Sequence, residues 1–565
     1  MRTLAAAAPR YSPGDRAAKL SLLDRLSDAR IARPSTLHAF HEALCFLQAY
    51  PDDSQVLDRV EQALEAFPAR VRRLGAAARR RLHDSGIVGT TLDYPFGLPM
   101  ARWLLAREDG GVEVQWRQFR EHERLEEILS LLVTRAEEDA FTEGGAGWRE
   151  WLRAATSTGR TSALEVLAGL FDHASLPEDC RDWLFESLGL PILWRLGTLA
   201  LSRTGAKRPC ERPVFHPRGL RRGKIDVAGE VNRPLPALCR ASRADAHALI
   251  ETARLAMATR QRELHCFSYP NPDDVWVADP GHGIRIALFG IRPEFRQPFE
   301  GYYGFLALKN GVPVSYGGAW CLLDTVDFAL NVFPSFRQGE STFLMSQILR
   351  VYRQFLGRTT FAIDPYQLGN GNDEALRSGA FYFYQRAGFR PHAHDVLAVL
   401  RREQAEIARD RSYRSPLAVL RRLARDEISL SLAPGHPEPT PRVRAAQLAL
   451  LVTGWIAREF GGDRVAATRA ATDLTARALG APRWRSWPQR ERRVFGHWAL
   501  VVAQIPDLAR WPAGDKRGLI RTIRAKGGPS EVDYVRLLAR QRRLHQTLAA
   551  LIATRTSPHG RGRTL

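Results

Sequence analysis

The chain has 565 residues, with 82 Lys or Arg against 61 Asp or Glu, and a formal net charge of +21. At roughly 100–200 residues per domain, this length predicts several domains, each able to bury its own core. The apolar fraction of 45% and the charged fraction of 25% are typical of globular proteins. They exclude a collagen-like or disordered chain.

The positive charge lies mainly in the last third of the chain. Residues 401–565 hold 32 cations and 14 anions, a balance of +18. A basic patch attracts polyanions such as nucleic acid, anionic lipid or nucleotide phosphates, and a nucleic acid is one possible partner of this region. Only six of the 82 cations are lysine, however, and the same excess fits a general preference of this chain for arginine. Both interpretations stay open.

Cysteine spacing and hydropathy indicate the compartment. The six cysteines are never closer than 27 residues, so neither a metal-ligand pair nor a disulfide framework is indicated, which fits a reducing compartment. The longest apolar run, from Ala445 to Ala457, is shorter than the roughly 20 residues needed to span a bilayer. We therefore expect a cytoplasmic protein without a membrane span.

Periodicity and breaker residues divide the chain into four parts. Residues 1–202 predict a helical N-terminal domain, since apolar residues recur there at three- and four-residue intervals. Residues 203–236, rich in proline and cations, predict an exposed basic linker. Residues 237–400 begin with a predicted helix, 244–264, and continue as a β-rich domain. Residues 401–565 predict a basic helical region with a proline-rich hinge at 433–441.

The β-rich domain contains an ordered series of elements. Asn310-Gly311, between strands predicted at 303–308 and 312–319, is typical of a tight hairpin. A strand at 324–333, a polar turn at 334–341, a helix at 342–355 and a strand at 360–363 follow. A glycine-containing turn at a helix N-terminus presents unpaired N–H groups to an anion.

Two segments in this domain resemble the GNAT superfamily of acyl-CoA-dependent N-acyltransferases. They are Asn331-Val-Phe-Pro-Ser-Phe-Arg-Gln-Gly-Glu-Ser341 and Tyr384-Gln-Arg-Ala-Gly-Phe-Arg390, within a likeness that covers about residues 240–395. Pro365-Tyr-Gln-Leu-Gly369 and Ser378-Gly-Ala-Phe-Tyr-Phe-Tyr384 also resemble a group of uncharacterised bacterial proteins. The resemblance implies an α+β fold with a central mixed sheet and flanking helices. It further implies transfer of an acetyl or other acyl group from acyl-CoA to a small-molecule or peptide amine by direct attack.

The resemblance also assigns roles to individual residues. Tyr384 is the expected general acid and Asp327 the expected base, with Asp324 as the second choice for the base. Burial among apolar neighbours would raise the pKa of Asp327, as a base at neutral pH requires. The expected acyl-CoA ligands are, for the pantetheine arm, the backbone of Val332 and Phe333 and, for the pyrophosphate, Arg337 with the amides of Gln338, Gly339, Glu340, Ser341 and Thr342.

One departure from the family pattern concerns the turn. With Arg337 placed first, Glu340 stands where the family carries glycine; with Gly339 in the glycine position instead, Phe336 comes first and Ser341 last. A carboxylate at Glu340 would disfavour a pyrophosphate unless it points away into solvent, which is the orientation expected here. The cluster of His392, His394 and Asp395 has no further ligand at a suitable spacing, so no metal is predicted.

Two other functions remain open alternatives. The first is aminoacyl transfer from charged tRNA on the same fold, which would suit the basic C-terminal region. The second is a non-catalytic GNAT-like binding module, which the altered glycine turn suggests.

Overall fold

The computed structural model describes residues 2–107, 111–142, 145–173, 176–432 and 442–556. The predicted hinge at 433–441 lies outside the described residues. The described chain is α+β, as expected from the sequence. None of its helices is long and apolar enough to cross a membrane.

The elements before residue 200 form two groups. The first group is helical: α1 (Arg2–Ala7), α2 (Pro13–Asp28), α3 (Pro34–Ala49), α4 (Ser54–Glu65), α5 (Phe67–Arg72) and α6 (Ala76–Arg80). The second group surrounds a small antiparallel sheet of order β1-β3-β2: β1 (Thr91–Tyr94), α7 (Leu98–Leu105), β2 (Gly111–Val114), α8 (His122–Leu132), α9 (Gly147–Ala155), α10 (Ala163–His173), α11 (Glu178–Ser187) and β3 (Ile192–Arg195).

The central elements include most of the strands of the chain. In chain order they are α12 (Val227–Asn232), β4 (Ala237–Arg240), α13 (Arg243–Ala258), α14 (His265–Ser268), β5 (Pro270–Gly281), β6 (Ile284–Ile291), β7 (Gly301–Lys309), β8 (Val312–Leu322), β9 (Thr325–Val332), α15 (Ser341–Leu356), β10 (Thr360–Ile363), α16 (Pro365–Leu368), α17 (Asp373–Ser378), α18 (Ala380–Arg386) and β11 (Arg390–Pro391).

The last part is helical apart from one strand. Its elements are α19 (His394–Arg409), α20 (Leu417–Leu423), β12 (Ile428–Ser431), α21 (Ala445–Phe460), α22 (Arg464–Leu479), α23 (Gln489–Val502), α24 (Ala513–Lys526), α25 (Val532–Ala539) and α26 (Arg542–Thr556). Short 3₁₀ turns occur at Glu138–Phe141, Leu199–Leu201, Pro293–Phe295, Pro334–Phe336, Trp484–Ser486 and Leu508–Arg510.

Within the described residues, nine strands form one mixed sheet of order β11-β12-β10-β9-β8-β7-β6-β5-β4. All neighbours are antiparallel except β9 and β10, which α15 joins as a crossover helix. The predicted hairpin is confirmed, because Asn310 and Gly311 both adopt positive φ, at 49° and 79°, as a type I′ turn requires.

The two parallel strands pair over only three residues. Thr360–Ala362 of β10 face Thr325–Asp327 of β9, whereas β9 continues to Val332 beside β8. Because β10 ends at Ile363 and Pro365 starts a helix, residues 328–332 of β9 have no β10 partner. One edge of that half-strand is therefore left open.

The cores divide the chain differently from the four predicted parts. Buried residues from Leu4 to Val88 share one core with the central sheet and with the C-terminal helices, down to Ile552. Buried residues from Leu92 to Ala206 form a second core, which α13 also joins. The 1–202 region is thus not one unit, and the C-terminal helices pack on the sheet.

Residues 203–236 differ from the predicted linker. Most of their side chains are exposed, but hydrogen bonds fasten the backbone to the β7–β8 turn. The Arg208 N–H donates to the Gly311 carbonyl at 2.9 Å, and the Val214 N–H donates to Asn310 Oδ1 at 2.8 Å. The segment ends in α12, which buries Val227 and Val231. We refer to residues 203–236 as the strap, because hydrogen bonds hold this segment against the β7–β8 turn.

Candidate functional site

A cavity of about 360 Å³ opens beside the unpaired half of β9. Three parts of the chain contribute to its walls: β9 (Leu330, Asn331, Val332), the turn and start of α15 (Arg337, Gly339, Ser341, Thr342), and the segment of α17 and α18 (Glu374, Phe383, Tyr384, Arg386). The strap adds Arg221 and Arg222. The cavity therefore lies where the parallel strands separate, next to a helix N-terminus.

The charged groups around this cavity are mainly arginines. Arg221, Arg222, Arg337 and Arg386 line it together with one carboxylate, that of Glu374. Arg337 Nη2 donates to Glu374 Oε1 at 2.8 Å. Four guanidinium groups against one carboxylate leave the cavity positive, which favours an anionic ligand.

Arg222 links the strap to the turn. Its guanidinium donates to the carbonyls of Gln338 and Gly339 and to that of Pro9 at 2.9 Å. Sequence reasoning missed Arg221 and Arg222 because they lie in the presumed linker. A signal was present, since two adjacent arginines, Arg221 and Arg222, occur in that segment.

The turn before α15 depends on glycine at position 339. A Cβ there would lie 2.8 Å from Cζ and Oη of Tyr50 and 2.9 Å from the Phe336 carbonyl oxygen. These distances are shorter than side chains tolerate, so the close approach to α3 requires Gly339. No side chain caps the N-terminus of α15 at Glu340. The first backbone N–H groups of this helix therefore lie uncapped by a side chain at the helix end that borders the cavity.

Glu340 does not point into solvent, contrary to the expectation. Its side chain is only 3% exposed and lies 3.1 Å from Lys309 Nζ, and its other oxygen accepts from the Arg221 N–H at 2.8 Å. Burial alone raises the pKa of Glu340, but Lys309 and the Arg221 amide outweigh it and hold the pKa below its ordinary value. The carboxylate thus holds the turn in place, and it is not among the groups that line the cavity.

Tyr384, the expected general acid, lies in the wall of the cavity. It is buried, and its hydroxyl lies beside the backbone amide of Leu330 in the unpaired half of β9. Burial raises the pKa of Tyr384 well above its ordinary value, and the Leu330 amide opposes this only in part. The phenol is therefore neutral at physiological pH and has a proton to donate.

Asp327 is placed differently. Burial raises its pKa, as expected, but Arg442 forms an ion pair with it and counteracts the shift. Asp327 belongs to the paired half of β9 and is not among the residues that line the cavity. Asp324, the second choice for the base, does not line the cavity either; its carboxylate lies 3.6 Å from His545 Nδ1. The structure therefore does not bring either carboxylate to Tyr384 in this cavity.

The other expected ligands divide into two sets. Val332, Arg337, Gly339, Ser341 and Thr342 line the cavity.

Phe333 and Gln338 are not among the residues that line the cavity. The Phe333 backbone N–H donates to the Val314 carbonyl at 3.0 Å, and its ring packs on Tyr316. His392 Nε2 is hydrogen-bonded to Ser429 Oγ at 2.6 Å. Across the described ranges, no cluster of three or more His, Cys, Asp or Glu side chains is arranged to hold a metal.

Comparisons with known proteins found no relative. No family model matches the chain, and no match was found among curated proteins or solved structures. The functional conclusion therefore rests on the site itself.

Proposed function

We propose that this protein is an acyl-CoA-dependent N-acyltransferase, and that the cavity beside β9 holds the acyl-CoA. The observation that carries the proposal is the opening between β9 and β10, which leaves the backbone of residues 328–332 without a strand partner on one side. An extended amide-containing chain such as pantetheine can hydrogen-bond to this edge as an added strand would.

The residues present fit the anionic part of acyl-CoA. Arg221, Arg222 and Arg337 stand around the N-terminus of α15, where a diphosphate would meet both guanidinium groups and backbone N–H groups. Ser341 and Thr342 add hydroxyl donors on the same wall. Glu340, the one residue of the turn that would repel a diphosphate, is neutralised by Lys309 behind the turn.

Acyl-CoA supplies a thioester whose carbonyl an amine attacks directly, with the thiol as leaving group. In the proposal, Tyr384 donates its phenolic proton to the departing sulfur. The arginines and the β9 edge hold acyl-CoA in place, so that the amine attacks a thioester carbonyl that is already oriented for the reaction. The amine would enter as the neutral base after losing a proton to solvent. As the amide forms and the thiol departs, the nitrogen would release one further proton, and an equal proton from solvent would restore the Tyr384 phenol. Asp327 does not line the cavity and takes no part in this step.

Calorimetric titration with acetyl-CoA tests the proposal. We expect saturable binding that weakens about tenfold or more in Arg337→Ala, because a charge-assisted contact is lost. Arg377→Ala is the matched control, since Arg377 lies on α17, is exposed, and pairs with Asp373 outside the cavity. Thiol release from acetyl-CoA in the presence of a panel of amines then tests turnover.

Each result has a clear consequence. Absence of binding at millimolar acetyl-CoA would overturn the proposal. Binding that is equally weak in both variants would place the co-substrate elsewhere. Tight binding without thiol release for any amine would favour the non-catalytic alternative.

A further inference from the structure

The C-terminal helices carry an arginine groove that the proposed function does not use. It is an open cavity of about 780 Å³, lined by Arg517, Arg521, Arg524, Arg536 and Arg540. Two acidic residues, Glu491 and Asp533, also line it. We propose that this arginine groove binds the phosphodiester backbone of a nucleic acid.

The arginines form two rows on neighbouring helices. On α24, Arg517, Arg521 and Arg524 are four and three residues apart and therefore share one face. At 1.5 Å per residue this row is about 10 Å long. Arg536 on α25 and Arg540 just after it are again four residues apart. A row of charges along a helix suits a polymer with repeated negative charges better than it suits a single small anion.

Three of these arginines have no internal partner among the described residues. Arg524 pairs with Glu491, and Arg536 donates to the Phe355 carbonyl at 2.8 Å. Arg517, Arg521 and Arg540 are exposed and form no ion pair or side-chain hydrogen bond within the described chain. Their guanidinium groups can each bind a phosphate through two parallel hydrogen bonds.

The groove is less suited to a lipid surface. Proteins that lie on membranes combine basic residues with exposed apolar side chains that insert between lipids. Among the described residues, no strongly exposed large apolar side chain lines the groove; Leu450 and Val465, for example, lie on α21 and α22. Ile520 and Leu537 line the groove but are partly buried. The observations therefore favour a strand that lies along the groove.

Fluorescence anisotropy with a labelled single-stranded RNA, measured over a range of salt concentrations, tests this proposal with the full-length protein. Three free arginines predict a slope of log K against log salt of about −2. The double variant Arg517→Ala/Arg521→Ala should raise Kd about tenfold or more and make the slope shallower by about 1.4. Within the described part of the chain neither side chain has an ion-pair or hydrogen-bond partner to lose, so the fold should be unaffected, and circular dichroism verifies this.

The control removes the same charge from another helix. Arg469 and Arg477 on α22 are exposed and outside the groove, so Arg469→Ala/Arg477→Ala should leave the RNA affinity within about twofold of the unchanged protein. Equal losses in both double variants would overturn the proposal, because they would indicate diffuse attraction. Absence of RNA binding at low salt would also overturn it. The proposal would also be overturned if polyglutamate or phosphatidylserine vesicles displaced RNA at the same concentration of negative charge.

Discussion

Lys309 Nζ donates to Glu340 Oε2 at 3.1 Å, and the two side chains are 1% and 3% exposed. This buried ion pair joins the β7–β8 hairpin to the turn that starts α15. Lys309 also donates to the His282 carbonyl at 2.7 Å, so the hairpin, the β5–β6 turn and the α15 turn meet at one ammonium group. The position of the α15 N-terminus in the cavity wall depends on this contact.

Removing the charge of Glu340 should destabilise the protein. Glu340→Gln leaves the Lys309 ammonium buried without a counter-charge, and we expect a loss of about 3 kcal/mol in the free energy of unfolding, measured by denaturant titration. Lys309→Met added to Glu340→Gln should recover part of this loss. Glu374→Gln is the comparison, because it breaks an exposed ion pair worth under about 1 kcal/mol. The prediction would be contradicted if Glu340→Gln cost no more unfolding free energy than Glu374→Gln.

Replacing Tyr384 by phenylalanine should affect turnover and not binding. The ring still fills its buried site, but the proton beside the Leu330 amide is lost, so kcat should fall by about 10²-fold or more while acyl-CoA affinity stays unchanged. Tyr382→Phe is the control on the same helix, because its hydroxyl is bonded to Ser415 Oγ at 2.7 Å, away from the cavity walls. An unchanged kcat in Tyr384→Phe would remove this residue from the general-acid role.

Glu374→Gln should strengthen binding of an anionic ligand. In the free protein the Glu374 carboxylate accepts hydrogen bonds from Arg337 and Arg262, at 2.8 and 3.4 Å, and so competes with a diphosphate for Arg337. Because exposed pairs contribute up to about 1 kcal/mol, the Kd for acetyl-CoA should fall about two- to fivefold. Calorimetry measures this, and weaker binding in Glu374→Gln would show instead that the carboxylate orients Arg337 for the ligand.

Glu263 should make stability fall as the pH rises. Its carboxylate accepts the Gly97 N–H at 3.1 Å and has no ion-pair partner among the described residues, and burial raises its pKa from 4.5 to about 7. Between these two values the folded protein binds the Glu263 proton more tightly than the unfolded chain does. The stabilisation that this proton gives the folded state is therefore complete below pH 4.5 and is lost as the pH rises to about 7.

Glu263→Gln removes this dependence. Relative to the unchanged protein, the variant should gain on the order of 2–3 kcal/mol in unfolding free energy between pH 4.5 and 8. Glu374→Gln is the control, because the hydrogen bond from Arg337 lowers the pKa of the Glu374 carboxyl, so its contribution to stability is lost as the pH falls, in the opposite direction. Parallel pH profiles for the unchanged protein and Glu263→Gln would refute the assignment.

Local signals predicted the elements around the site well. The strand at Thr360–Ile363 has the predicted bounds, and the helix expected at 342–355 spans Ser341–Leu356. The sequence could not show which residues of the strap and of α17 line the cavity. The adjacent arginines Arg221 and Arg222 stand out in the sequence, but neither they nor Glu374 carry a motif that points to this cavity. Only chain folding brings Arg222 and Glu374 to Arg337 and Gly339.

The basic last third of the chain likewise separates what the local sequence predicts from what tertiary contacts decide. The sequence by itself determined that residues 401–565 are basic and helical, since composition and 3.6-residue periodicity are local properties. Only the tertiary structure decided that these helices share the core of the central sheet and that Arg517, Arg521 and Arg540 line one groove. It also decided that Glu340 turns inward to Lys309. Burial and ion pairing depend on contacts between residues far apart in the chain, which no local pattern specifies.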